Sequence, residues 1–202
     1  MTIRAVFVDM GGVIVRTEFQ APRQHLADRL GMEYEDLIKL VFDGKSAQQA
    51  SIGLISEDEH WATVMRRLHR PASETQAVRD EFFAGDIIDT DLLDFLRSLR
   101  GKIKVGMISN AWSGLRAYIL SKKFEDAFDV MIISAEVKAI KPDARIYQIA
   151  LERLTALPSE SVFLDDFPEN VKAARAVGMQ AILFAQPEQA IKELKLLLAN
   201  HK

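Results

Sequence analysis

Cysteine is absent from this chain of 202 residues. That absence removes disulfides, thiol catalysis and thiolate metal sites together. Histidine is sparse: His25, His60, His69 and His201 stand singly, without the spacing of a ligand pair, and none is read as a metal ligand. No apolar run approaches the roughly 18 residues of a membrane span, and the apolar start within MTIRAVFVDM is too short for a secretory signal. The expectation is a cytoplasmic protein with no membrane partner. Positive charge is not in excess either. The formal net charge is -3, with lysine and arginine scattered along the chain, which speaks against nucleic acid as a partner. What remains is 49% hydrophobic and 27% charged residues, the balance of a soluble globular protein. The length suffices for one large domain, or for a main domain with a smaller insertion.

The stretch 5–18, AVFVDMGGVIVRTE, stands out against that background. Apolar β-formers run into Asp9, two glycines follow, and Val13, Ile14 and Val15 resume the apolar run. A buried carboxylate is costly unless paired or coordinated, and glycines allow a sharp turn or a close approach to a ligand. Further strand-like runs are KVGMIS at 104–109, DVMIIS at 129–134, SVFLD at 161–165 and QAILF at 180–184. They are continuous rather than alternating, as suits strands covered on both faces. Between them lie helical patterns. DARIYQIALERL places Ile146, Ala150 and Leu154 on one face, PENVKAARAVG opens with Pro168 and closes with Gly178, and PEQAIKELKLLLANHK puts Ile191, Leu194 and Leu198 together. Strands alternating with helices predict an α/β fold with a doubly wound parallel sheet.

The span from about 17 to 85 breaks the alternation. It carries four helical signals, APRQHLADRLG, EYEDLIKLVFDG, SEDEHWATVMRRLH and SETQAVRDEFFAG. Ser56 with Glu59, and Ser73 with Gln76, have the spacing of capping boxes. The expected organisation is an α/β core from 1–16 and 86–202, with an inserted all-helical cap at 17–85. A helix near 89–100 returns the chain to the sheet.

In an open parallel sheet, ligands bind beyond the carboxyl ends of the strands. Those ends carry Asp9, then Ser109 and Asn110, then Asp165 and Asp166, while Lys141 and Pro142 precede the helix after the third strand. Together they make three carboxylates, a hydroxyl, an amide and an ammonium. The carboxylates are oxygen ligands of the type magnesium takes; the hydroxyl and the ammonium suit phosphate oxygens.

In this order and spacing the chain resembles the haloacid dehalogenase-like superfamily, whose four motifs match VFVDMGGV at Asp9, GMISNAW at Ser109, KPDARIY at Lys141 and VFLDDFPEN at Asp165 and Asp166. The resemblance covers nearly the whole chain and implies a Rossmann-like core, a helical cap and magnesium-dependent phosphatase activity on a small-molecule phosphate. It implies Asp9 as the nucleophile that becomes an aspartyl phosphate. Magnesium would be held by Asp9, Asp166 and the carbonyl of Gly11, with Asp165 bound directly or through water. Ser109 and Lys141 would hold phosphoryl oxygens, Asn110 would donate to the phosphoryl group, and Asn170 would orient the acidic pair. One position departs from the pattern. Two residues after the nucleophile the best-known phosphatases of this group carry a second aspartate, the general acid and base, and here that residue is Gly11. Two alternatives stay open: a metal-independent dehalogenase in which Asp9 attacks carbon, and a non-catalytic module binding a phosphorylated ligand or a protein. The expected state is a monomer or homodimer. Trp112 is expected in packing or at a helix start rather than in the pocket.

Overall fold

The computed structural model describes residues 2–199; His201 lies outside them. Five apolar runs become strands, and two shorter strands lie between the first and second of these. In chain order the elements are β1 (Ala5–Val8), β2 (Val15–Thr17), α1 (Ala21–Leu30), α2 (Tyr34–Phe42), α3 (Lys45–Ser51), α4 (Glu57–Arg67), α5 (Thr75–Phe83), β3 (Asp86–Ile88) and α6 (Thr90–Leu99). They continue with β4 (Lys104–Ser109), α7 (Leu115–Lys122), β5 (Val130–Ile133), α8 (Ser134–Val137), α9 (Ala144–Leu154), β6 (Ser161–Asp165), α10 (Pro168–Ala176), β7 (Gln180–Leu183) and α11 (Pro187–Ala199). Five strands form one parallel sheet in the order β5-β4-β1-β6-β7. This is the expected doubly wound α/β arrangement, and its order reverses at β1, between β4 on one side and β6 on the other.

The faces of β1 follow the two-residue period of a strand. Val6 and Val8 join a core with Leu92, Leu93 and Leu96 of α6 and Leu194 of α11. Ala5 and Phe7 join the opposite core with Ile146, Tyr147 and Ala150 of α9 and Phe163 of β6. Because both faces are filled, all four residues of β1 are buried, which is why its sequence shows no alternation. The next polar residue, Asp9, therefore emerges from a wholly apolar layer.

The helices from 21 to 83 have a third core of their own, built on Leu26, Leu37, Val41, Trp61, Val64, Val78 and Phe82. The Ser56–Glu59 capping box forms, with the Glu59 N–H donating to Ser56 Oγ at 3.2 Å and the Ser56 N–H to Glu59 Oε2 at 2.7 Å. The Ser73–Gln76 box does not. A short 3-10 turn, Ala72–Glu74, occupies that place, α5 begins at Thr75, and the Gln76 amide donates to Asp80 instead. The span holds five helices rather than four. α3 was missed because its sequence, KSAQQAS, has only Ala47 and Ala50 to bury, too little apolar surface to show a period. A second correction lies at the edges of the span, where β2 and β3 pair antiparallel with Thr17 opposite Asp86. Asp86 Oδ1 there accepts from Thr17 Oγ1 at 2.7 Å and from Arg23 at 2.8 Å.

Contacts between the helical segment and the sheet side include these three. Trp112, just beyond β4, packs on the third core with its ring 4.4 Å from that of His60, so it serves packing, as expected. Ser134 Oγ donates to the carbonyl of Ser51 at 2.6 Å. The Gly114 N–H donates to Glu57 at 2.9 Å.

Candidate active site

Parallel register sets Val8 of β1 beside Leu164 of β6, and the Asp9 N–H continues the ladder by donating to the Leu164 carbonyl at 2.8 Å. Asp9 and Asp165 thus stand at neighbouring strand ends, where strand order reverses. Lys141 arrives from the loop before α9. Its Nζ lies 2.7 Å from Asp9 Oδ2 and 2.7 Å from Asp165 Oδ2, and the lysine is only 4% exposed.

Asp165 is fully enclosed and fully used. Oδ1 accepts from the Phe167 N–H at 2.8 Å and from Asn170 Nδ2 at 3.0 Å; Oδ2 accepts from Lys141 and, at 3.1 Å, from the same amide. A carboxylate offers about four acceptor sites, so none is left. Asp166 is the opposite case: its Oδ1 is buried with no hydrogen-bond partner. Gly12 explains how Asp166 reaches inward. Its φ is +78°, and a Cβ there would collide with the Asp166 carboxylate. Only glycine serves at that position.

One ligand atom from each of Asp9, Asp165 and Asp166 falls within 4.8 Å of the others, an arrangement that could hold a metal ion. One ammonium faces three carboxyl groups. Burial drives the Asp9 carboxyl up to about 7; the neighbouring Asp165 adds to this, and Lys141 and the Met10 N–H, 2.6 Å from Asp9 Oδ1, pull against it. Burial, with the charge of Asp165, also raises Asp166. Both shifts express surplus negative charge in a dry place, and a divalent cation is the chemical complement of that surplus.

The other expected residues take varied positions. Ser109, buried, closes β4 beside β1. Asn110 follows it, but its side chain is engaged with the main chain of Lys141, giving to the carbonyl at 2.9 Å and taking from the N–H at 2.8 Å. Asn170 touches only Asp165 of the acidic pair. Gly11 is exposed, and a Cβ added there would meet nothing within 4 Å. Sequence reading missed the backbone N–H groups of Met10 and Phe167, and Tyr147, whose Oη donates to the Asn170 carbonyl at 3.0 Å. No residue type marks a backbone donor, and Tyr147 sits in α9 as one more apolar-face residue.

A family model for the haloacid dehalogenase-like hydrolases matches residues 3–178. The chain belongs to that family. This haloacid dehalogenase-like hydrolase is 27% identical over 215 residues to bifunctional epoxide hydrolase 2 of Rattus norvegicus, covering 96% of this chain and 39% of the relative. It thus spans less than half of that enzyme, and 7% of acyl-CoA dehydrogenase family member 10 of Mus musculus, which it matches at 46% identity over 71 residues. It is also 28% identical over 186 residues to the phosphorylated carbohydrates phosphatase of Thermotoga maritima, covering 89% of this chain and 84% of that one. Among solved structures, the magnesium complex of a HAD family enzyme from Bacteroides thetaiotaomicron superposes with a TM-score of 0.76 at 25% identity, over 91% of this chain and 94% of that one. No helix among the described residues is long and apolar enough to cross a membrane.

Proposed function

We propose that this hydrolase is a magnesium-dependent phosphatase acting on a small-molecule phosphate monoester through Asp9. The observation that carries this reading is the buried, unpartnered Asp166 Oδ1 beside two further carboxylates. An ionised oxygen in that setting is costly without a partner, and the donor set, all hard oxygen, fits magnesium. The residues to hold the ion are Asp9, Asp166 and the carbonyl of Gly11. Asp165, its acceptor sites occupied by Lys141, Asn170 and the Phe167 N–H, takes part as charge. Magnesium, when bound, supplies Lewis-acid withdrawal of charge from a phosphoryl oxygen.

Asp9 attacks phosphorus; the bond from phosphorus to the leaving oxygen breaks, and that oxygen departs with its electron pair. Water then attacks the aspartyl phosphate, freeing inorganic phosphate and returning the Asp9 carboxylate, so that one hard displacement becomes two easier ones. Ser109 donates to a phosphoryl oxygen. Lys141, 2.7 Å from the nucleophile, screens an arriving phosphate dianion from Asp9 and receives charge as it develops. Gly11 offers no proton to the leaving oxygen, so the reading favours esters whose leaving groups depart readily, such as aryl, acyl or anomeric sugar phosphates. The helices of 17–85 act as a cap that shelters the site from water. The relative named for phosphorylated carbohydrates and the magnesium complex of the superposable enzyme support the class of reaction. A dehalogenase reading has no use for the acidic pair, because displacement at carbon by Asp9 needs no cation.

The test is phosphate release from a panel of sugar, aryl, acyl and nucleotide phosphates, with magnesium or with EDTA. The expected result is magnesium-dependent release that Asp9→Asn lowers by about 10,000-fold or more. Release undiminished by Asp9→Asn sinks the mechanism; silence across the panel in a protein that binds magnesium favours the non-catalytic module.

A further inference from the structure

Asn110 invites a role different from contact with substrate. Both ends of its amide are taken by one residue 31 positions away: Oδ1 accepts from the Lys141 N–H at 2.8 Å and Nδ2 donates to the Lys141 carbonyl at 2.9 Å. This two-point contact ties the main chain before α9 to the end of β4 much as a strand pairing would. Lys141 lies in the loop between α8 and α9, outside the sheet. From that loop its flexible side chain must deliver an ammonium to a point 2.7 Å from carboxylates on two different strands, β1 and β6. A lysine chain has four carbons of freedom, so the place of its charge depends on the place of its backbone. We propose that Asn110 is a positioning residue: it fixes the Lys141 main chain and so aims the ammonium between Asp9 and Asp165.

The chain of contacts runs Asn110 to Lys141, Lys141 to Asp9 and Asp165, Asp165 to Asn170, and Asn170 to Tyr147. It links the ends of β4, β1 and β6 with α9 and α10. Asn110 starts that chain from the strand that also presents Ser109. An error of about 1 Å in the place of the Lys141 charge costs on the order of 100-fold in rate.

The kinetic consequence rests on the phosphatase reading; the structural one does not, and two measurements separate them. In the first, Asn110→Ala, Lys141→Met and the double variant are compared for turnover. Asn110→Ala is expected to lower kcat by about 10- to 100-fold, with less change in KM, and to have no further effect in the Lys141→Met background, since residues acting through one another are not additive. Asn110→Asp, which keeps the acceptor but loses the donor, should fall between wild type and Asn110→Ala. In the second, the side-chain ammonium signal of Lys141 is followed by NMR in protein with isotope-labelled lysine, assigned by its loss in Lys141→Met. The expected result is that Asn110→Ala shifts or broadens this signal in a protein that remains folded. An equal rate loss from Asn110→Ala with and without Lys141 overturns the proposal in favour of direct substrate contact. An undisturbed ammonium signal overturns it too. A displaced signal in a protein that turns over no phosphate ester upholds the positioning role and removes the phosphatase reading instead.

Discussion

The strand ends around Asp9 and the core of the helical segment both bury polar atoms without partners, yet the two regions treat them differently. In the helices, His60 Nε2 and Trp61 Nε1 are buried and unbonded, among rings that pack edge-on: Trp61 stands 6.2 Å from Phe82, and Phe82 5.0 Å from Phe83. Those atoms are neutral. Burial pushes His60 below its ordinary range, disfavouring the charged ring, and a neutral polar atom left without a partner costs only about 1–3 kcal/mol. At the strand ends the unpartnered atom belongs to an acid, Asp166, with two more acids and one ammonium beside it. A vacant acceptor on a carboxylate costs much more than a vacant indole donor. The aromatic core absorbs its orphans through packing; the acidic cluster calls for a ligand.

That contrast can be broken in three places. The largest expected effect is Trp61→Ala, which removes the largest fully buried side chain and should destabilise the fold by about 3–5 kcal/mol, read from denaturant unfolding, while kcat per folded molecule stays near that of the parent. A collapse of kcat in molecules that remain folded would show that the helical core shapes the chemistry directly. Next is Gly11→Asp. The position is open, with nothing within 4 Å of an added Cβ, so the side chain should be accommodated and should supply the missing proton donor. Turnover of alkyl phosphates is expected to rise by about 100-fold, the lower end of general acid–base catalysis, and that of aryl phosphates much less. A uniform change across leaving groups would mean that protonation is not what limits this site. The smallest effect concerns pH. The folded-state pKa of Asp9 is raised to about 7, chiefly by burial, and that of Asp166 is raised as well. A raised folded-state value stabilises the protein below the unfolded value and loses that contribution as pH climbs through the folded one. The melting temperature of metal-free protein should therefore fall by a few degrees from about pH 5 to about pH 8, and magnesium should restore it more at the upper end, where the carboxylates are ionised. A flat profile in the absence of metal would mean that Lys141 alone balances the cluster.

The strands of the parallel sheet were legible because each is apolar throughout and buried on both faces; Lys104–Ser109 and Ser161–Asp165 have the bounds read from the sequence alone. β2 and β3 were not. Each is three residues long and part-exposed, so neither a continuous run nor an alternation has room to develop. The capping boxes divide in the same way. Ser56 and Glu59 meet the local rule and obey it, whereas Ser73 yields to a 3-10 turn that starts α5 two residues later.

What the sequence by itself determined is which residues stand at the strand ends. A continuous apolar run that gives way to Asp9, Ser109 or Asp165 marks where each strand leaves the apolar core, although these polar residues are themselves buried, and in a parallel sheet those ends lie on one edge. What only the tertiary structure decided is how the roles divide among them. It set Asp165 inward, to be filled by Lys141, Asn170 and the Phe167 N–H, and left Asp166 with a free oxygen against Gly12. It also turned Asn110 to the backbone of Lys141. Those choices depend on strand order and on contacts between residues tens of positions apart, whereas a local pattern records only what each residue shares with its neighbours along the chain.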